Sequence, residues 1–117
     1  MKTVLIVEDM PSQAFIIQNH VVNCGYLTVA STDPFLSIEI VKMGGVDVVI
    51  TDLNMPYMNG LELIKGIRSI NKKIHIILIT AYCHEENRKA AIQAGANHYV
   101  CKPIDFKTIT ELLNSIK

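Results

Sequence analysis

The 117-residue chain carries no surplus of charge of either sign, since eleven lysine and arginine residues balance eleven aspartate and glutamate residues. A balanced chain offers no strong electrostatic footprint to a nucleic-acid backbone or an anionic membrane, so direct nucleic-acid binding is not expected. Long apolar runs are also missing. The longest, such as residues 4–7 and 76–79, are strand-length and far short of a bilayer span, so no membrane segment is expected. The opening Met1-Lys2-Thr3 leads into a short run that ends in Glu8-Asp9, without the longer apolar region or small-residue cleavage site of a signal peptide. A cytoplasmic location is therefore expected. Cys24, Cys83 and Cys101 are odd in number and widely spaced, with no C-x-x-C pair to suggest zinc or a redox couple, and are read as reduced thiols. Proline, glycine and serine stand singly at turns, which leaves no linker, repeat or low-complexity segment.

What is present is the composition of a globular domain, half hydrophobic and 19% charged. The length allows one compact core and not two, so residues 1–117 are read as a single domain. Apolar, β-branched runs alternate with segments of helical period, the signature of βαβ units and a parallel sheet. Five strands are expected near residues 3–7, 27–30, 46–51, 74–79 and 98–101. Ala14, Ile17, Val21 and Cys24 form one apolar helical stripe, and Leu63, Ile67 and Ile70 form another. Asp33-Pro34 has the chemistry of a helix start, a capping acceptor followed by proline at the first turn. Gly25, Gly44 and Gly95 each follow a helical pattern where a left-handed cap is commonly needed. Asp105 can cap a last helix whose buried face carries Phe106, Ile109, Leu113 and Ile116.

The chemistry gathers where strands end. Glu8-Asp9 follows the first strand, Asp52 the third, Thr80 the fourth and Lys102 the fifth. Parallel strands end at one edge, where an open α/β sheet binds its ligands, so these groups should converge. Three carboxylates brought together must share a proton or bind a cation. Oxygen-only ligands with room for water and phosphate suit Mg²⁺ better than zinc, which favours nitrogen and sulfur. Lys102 would supply fixed positive charge and Thr80 a hydroxyl donor, both suited to a phosphoryl group in transfer, which leaves Asp52 as nucleophile. His20, His75, His84 and His98 lack metal-ligand spacing and are assigned no chemistry. Met55 and Met58 are read as filling irregular space beneath the Asp52 loop.

Val7-Glu8-Asp9, Asp52-Leu53-Asn54-Met55-Pro56 with Gly60, Thr80-Ala81, and Tyr99 with Lys102-Pro103 together resemble the receiver domains of two-component signalling, over the whole chain. The resemblance implies a doubly wound, flavodoxin-like α/β fold. Its five-stranded parallel sheet would run in order 2-1-3-4-5, with five helices in an α/β/α sandwich. It implies that Asp52 accepts a phosphoryl group from a phosphohistidine of a sensor histidine kinase or a histidine phosphotransfer protein. Asp9, Asp52 and the Asn54 carbonyl would ligate Mg²⁺ directly, with Glu8 acting through water. Lys102 would pair with the phosphoryl oxygens, and its bond to Pro103 would be cis. Thr80 and Tyr99 would form a switch pair that alters the surface around the fourth helix, fifth strand and fifth helix. That surface would regulate a downstream protein target or an attached output domain. A monomer or weak dimer is expected before phosphorylation. Lifetime of the acyl phosphate is tied in such domains to the positions held here by Asn54 and Tyr82.

Each of these residues also has a plainer reading. Asp52 could be a turn residue, Glu8-Asp9 a helix start, Thr80 an ordinary strand residue, Lys102 a solvated charge and Tyr99 a core aromatic. Convergence at one edge favours the functional set. A phosphatase of the haloacid dehalogenase type also uses an aspartate after a strand, but pairs it with a general-acid aspartate two residues on, where this chain has Asn54. The chain is therefore read as a phosphoacceptor switch rather than an enzyme, with at most Mg²⁺-dependent self-phosphorylation and autodephosphorylation. A module working without phosphorylation would typically have lost an acidic residue or the lysine, and none is missing. Flavin binding finds no Gly/Ser/Thr-rich phosphate cradle in the first loop.

Overall fold

In a computed structural model, which describes residues 2–55 and 58–116, strands and helices alternate along the chain. They are β1 (Thr3–Val7), α1 (Pro11–Asn23), β2 (Leu27–Ser31), α2 (Pro34–Met43), β3 (Val48–Asp52), α3 (Gly60–Ile70), β4 (His75–Thr80), α4 (Glu85–Ala94), β5 (His98–Cys101) and α5 (Phe106–Ile116). Pro56 of the Asp52 loop motif and the terminal Met1 and Lys117 lie outside the described residues. The sheet is parallel throughout, in the expected order β2-β1-β3-β4-β5. Strand order reverses between β1 and β3, which opens a crevice beyond their C-terminal ends.

The alternation of side chains along each strand builds two cores. Leu5, Val7, Val49, Ile76 and Leu78 face one side, where they meet Val41 of α2, Leu63 and Ile67 of α3 and Ala91 of α4. Val4, Ile6, Ile50, Ile77 and Ile79 face the other and meet Ile17 and Val21 of α1 and Ile109 and Leu113 of α5. β1, β3 and β4 are thus buried on both faces and read as near-continuous β-branched runs. β2, at the sheet edge, leaves Leu27 and Val29 exposed.

Local chemistry sets the helix ends. The Asp33 carboxylate accepts from the Phe35 and Leu36 amides, with Pro34 in the first turn, and the Asn59 side chain accepts from the Glu62 amide. At the end of α4, Gly95 takes a φ of 123° and a Cβ there would lie 2.5 Å from Arg68 Cγ. That leaves room for the Arg68 guanidinium to donate to the Gly95 carbonyl at 2.9 Å.

Several expectations shift, among them the bounds of β2, which ends at Ser31, and of β4, which runs His75–Thr80. β3 begins at Val48 rather than residue 46, although Asp47 extends its pairing by donating to the Thr3 carbonyl and accepting from the His75 amide. The buried face of α3 is Gly60, Leu63, Ile64 and Ile67, while Ile70, at the last turn, is partly exposed. The larger correction concerns cysteine. Cys83 and Cys101 are joined in a disulfide, with Cα atoms 5.8 Å apart across 18 residues of sequence, and Cys24 is the free thiol. The β4–β5 register pairs Thr80 with Cys101, which brings Cys83, just past Thr80, beside it. Spacing in the chain carries no trace of that juxtaposition.

Gly60 has no room for a side chain, because a Cβ would lie 2.4 Å from the Asp52 carbonyl oxygen and 2.9 Å from Leu53 Cα. At Gly66, in the same helix, the nearest obstacle is the Ile38 Cδ1 methyl at 3.1 Å. Gly60→Ala should therefore cost about 2 kcal/mol of stability in urea denaturation. Gly66→Ala should stay within about 0.5 kcal/mol of the parent, helix propensity offsetting the crowding.

Candidate functional site

Every strand-end group named from the sequence comes to the C-terminal edge of the sheet. The Glu8 amide donates to the Ser31 carbonyl and the Lys102 amide to the Thr80 carbonyl, so backbone pairing continues to the site residues themselves. Glu8 and Asp52 are only 3% and 8% exposed. One Asp52 oxygen, Oδ1, accepts from the Leu53 and Asn54 amides at 2.6 and 3.3 Å. The other, Oδ2, accepts from Lys102 Nζ at 2.7 Å. Lys102 also lies 3.8 Å from Glu8 Oε2 and donates to Gln13 Oε1 at 3.1 Å. Its peptide bond to Pro103 is cis.

Glu8, Asp9 and Asp52 each bring a carboxylate oxygen within 4.8 Å of the others. One ammonium does not balance three carboxylates. Burial, followed by the neighbouring Asp52 charge, pushes the Glu8 carboxyl up to about 7, against the opposing pull of Lys102 and the Met10 amide. Burial draws the Lys102 ammonium down, but the hydrogen bond and charge of Asp52, with the charges of Glu8 and Asp9, outweigh it and hold the group above its ordinary value. The donor set is all oxygen, partly buried and short of positive charge. It fits a hard divalent cation such as Mg²⁺ and lacks the nitrogen and sulfur that zinc prefers.

Thr80 is fully buried, and its hydroxyl oxygen accepts from the Tyr82 amide at 3.0 Å. The Tyr99 hydroxyl donates to the Tyr82 carbonyl, and its partly buried ring packs on the core that includes Leu63 and Leu78. Thr80 and Tyr99 are thus linked through the backbone of Tyr82, whose own side chain is 53% exposed. Met55 and Met58 pack against the same core, as expected of them. A separate cavity of about 410 Å³, lined by Lys2, Asp47, Asn71, Lys73 and His75, lies at the opposite edge of the sheet and holds none of these groups.

The profile of the family described as "Response regulator receiver domain" matches residues 4–114. The chain belongs to that family. It is 35% identical to the chemotaxis protein CheY-3 of Vibrio cholerae over 97% of this chain and 89% of the relative. It is 30% identical to the chemotaxis protein CheY of Pseudomonas aeruginosa over 97% and 94%. The solved structure of Vibrio cholerae CheY4 superposes with a TM-score of 0.92 at 27% identity, covering 100% of this chain and 99% of the other. The response regulator TrrA of Thermotoga maritima, in complex with Mg²⁺ and BeF, superposes at 0.90 with 29% identity and complete coverage of both chains. Receiver domains are phosphoaccepting signalling switches of two-component systems rather than classical enzymes, and they bind Mg²⁺ at an acidic pocket.

In this receiver, sequence reasoning missed Gln13, which orients Lys102 from the first turns of α1. A polar residue on an ordinary helix surface gives no sign of such a role. It also missed that the Leu53 and Asn54 amides, by gripping Oδ1, fix the direction of the Asp52 carboxylate.

The raised Glu8 carboxyl makes stability depend on pH in chelator-treated protein. The folded chain keeps a proton up to about 7 that the unfolded chain releases near 4.5. Its favourable contribution is full below that lower value and is lost as pH rises through the upper one. Relative to Glu8→Gln, the parent should lose on the order of 3 kcal/mol between about pH 5 and about pH 8, measured by denaturant midpoints with EDTA present. Parallel curves for the two proteins would overturn the assignment.

Proposed function

We propose that residues 1–117 form one receiver unit and that Asp52 accepts a phosphoryl group from a phosphohistidine on a sensor histidine kinase or histidine phosphotransfer protein. The observation that carries this reading is the Asp52 carboxylate itself: nearly buried, aimed by two backbone amides, paired with Lys102 and set among two further acids. The carboxylate attacks phosphorus, the bond from phosphorus to the imidazole nitrogen breaks, and an acyl phosphate forms on Asp52. Lys102 follows the negative charge from the carboxylate onto the phosphoryl oxygens. Glu8, Asp9, Asp52 and the Asn54 carbonyl would hold Mg²⁺, which supplies the positive charge that three carboxylates and a phosphoryl group demand.

The switch is then a competition for hydrogen bonds. Thr80 exchanges its bond with the Tyr82 amide for donation to a phosphoryl oxygen, and Tyr99 exchanges the Tyr82 carbonyl for the space vacated behind it. The α4, β5 and α5 surface changes in consequence and regulates a downstream protein or output domain. The charge balance argues against direct nucleic-acid binding by this segment. Among the described residues no helix is long and apolar enough to cross a membrane. We place the protein in the cytoplasm as a monomer or weak dimer before phosphorylation. Any chemistry of its own is limited to Mg²⁺-dependent self-phosphorylation and autodephosphorylation.

Incubation with acetyl phosphate and Mg²⁺ should add one base-labile phosphoryl group, read by intact-mass spectrometry. The gain should vanish with EDTA and in Asp52→Asn. No gain under any condition would replace this reading with that of a phosphorylation-independent binding module. Tyr82 is exposed two residues past Thr80, and its ring should partly shield the acyl phosphate from water. Tyr82→Ala should hydrolyse it several-fold faster, and an unchanged rate would remove the shielding role.

A further inference from the structure

Cys83 and Cys101 take no part in the phosphoryl site, yet they stand on either side of its moving part. Cys83 lies in the loop between β4 and α4, three residues past Thr80, and Cys101 ends β5 directly before Lys102. The parallel register pairs Thr80 with Cys101, and the Cys83 sulfur is 3.6 Å from the Thr80 carbonyl oxygen. The Cα separation of 5.8 Å falls within the range a disulfide spans without backbone movement. Both residues are exposed, so a soluble oxidant or reductant can reach them. We propose that Cys83 and Cys101 form a reversible thiol–disulfide site whose closure holds the Thr80–Tyr82 segment in its present position and thereby opposes phosphoryl-driven switching.

The reacting partner is a small-molecule disulfide of the glutathione type. One protein thiolate attacks it, forming a mixed disulfide and releasing one small thiol. The second protein thiolate then attacks the protein sulfur of that mixed disulfide, so that the Cys83–Cys101 bond forms as the mixed-disulfide bond breaks and the second small thiol leaves. Two electrons pass from the protein to the oxidant, and the two cysteine protons end on the two released thiols. Disulfides in a reducing compartment are characteristically transient and sensory, which suits an exposed pair better than a permanent staple.

The mechanical consequence follows from what holds residue 82. Its amide is bonded to Thr80 Oγ1, its carbonyl to the Tyr99 hydroxyl, and the residue after it is tied covalently to Cys101. The two hydrogen bonds can be exchanged for new ones, whereas the covalent bond cannot. The bonded form therefore favours the unphosphorylated arrangement. By reciprocity, a phosphoryl mimic must favour the dithiol by the same factor. The consequence for switching rests on the Asp52 and Thr80 reading; formation of the bond does not.

The test uses the whole chain in buffers of defined oxidised-to-reduced glutathione ratio. Non-reducing peptide mapping should show Cys83 linked to Cys101 with Cys24 alkylated, and absence of that linkage at every ratio overturns the proposal. Beryllofluoride with Mg²⁺ should bind the oxidised form about tenfold more weakly than the reduced form. It should bind Cys83→Ser and Cys101→Ser equally in both buffers. Equal affinity of the two wild-type forms overturns the proposal. Should reduced protein fail to bind beryllofluoride, the Asp52 reading falls separately. Amide hydrogen exchange across residues 80–83 then decides the redox site, with slower exchange in the oxidised form supporting it and equal exchange overturning it.

Discussion

The contact between Lys102 Nζ and Asp52 Oδ2, 2.7 Å long and largely shielded from water, is the constraint around which the rest of the molecule is arranged. A buried ion pair is a poor source of stability, because removing both charges from water costs as much as their attraction returns. It persists here because each partner is held by neutral groups as well: Asp52 by the Leu53 and Asn54 amides, Lys102 by the Gln13 side chain. The surrounding acids then leave the cluster short of positive charge. A site built for folding alone would not place Glu8, 3% exposed, beside Asp52 with one ammonium between them. The cluster is electrostatically unsatisfied, and a bound cation resolves such a deficit of positive charge.

Such a cluster needs a rigid support, and the sheet provides it. β1, β3 and β4 are packed on both faces, so the strand ends that carry Glu8, Asp52 and Thr80 cannot move far without opening a core. Gly60 lets the start of α3 close onto the same edge, its amide donating to the Leu53 carbonyl at 2.7 Å. The hydrophobic pattern and the acidic site are therefore one design problem: close-packed Ile, Val and Leu side chains hold charged groups at a separation that they would not keep in solution.

Much of this was legible because it rests on local or periodic features. Runs of β-branched residues gave all five strands, β1 and β5 with the expected bounds, and Asp33-Pro34 marked the start of α2 through its capping chemistry. The convergence of Glu8, Asp9, Asp52 and Lys102 followed from strands being parallel, and their partnership is the geometry now seen. The strand order was carried by resemblance rather than by any residue pattern. What escaped was long-range and side-chain specific. The choice of Ile64 over Ile70 for the buried face of α3 depends on where the helix ends against the sheet. Gln13 serves Lys102 across 89 residues, and Cys83 meets Cys101 through a strand register that the spacing of cysteines does not encode.

In the proposed switch, the segment after β4 is where a small chemical event becomes a surface change. Thr80 is fully buried and Tyr82, two residues on, is 53% exposed, so the chain passes from core to solvent within one short step. A displacement of the Thr80 hydroxyl toward a group on Asp52 has little slack in which to dissipate before it reaches the surface. The Tyr82 backbone carries it in two directions, to Thr80 through its amide and to Tyr99 through its carbonyl. Packed cores respond to such pulls by changing between discrete arrangements rather than by stretching. The same short segment is where a covalent tie to β5 has the most leverage, because it acts after the rigid strand ends and before α4 begins. Phosphoryl and thiol chemistry would then act on one two-state element from opposite sides of a single residue.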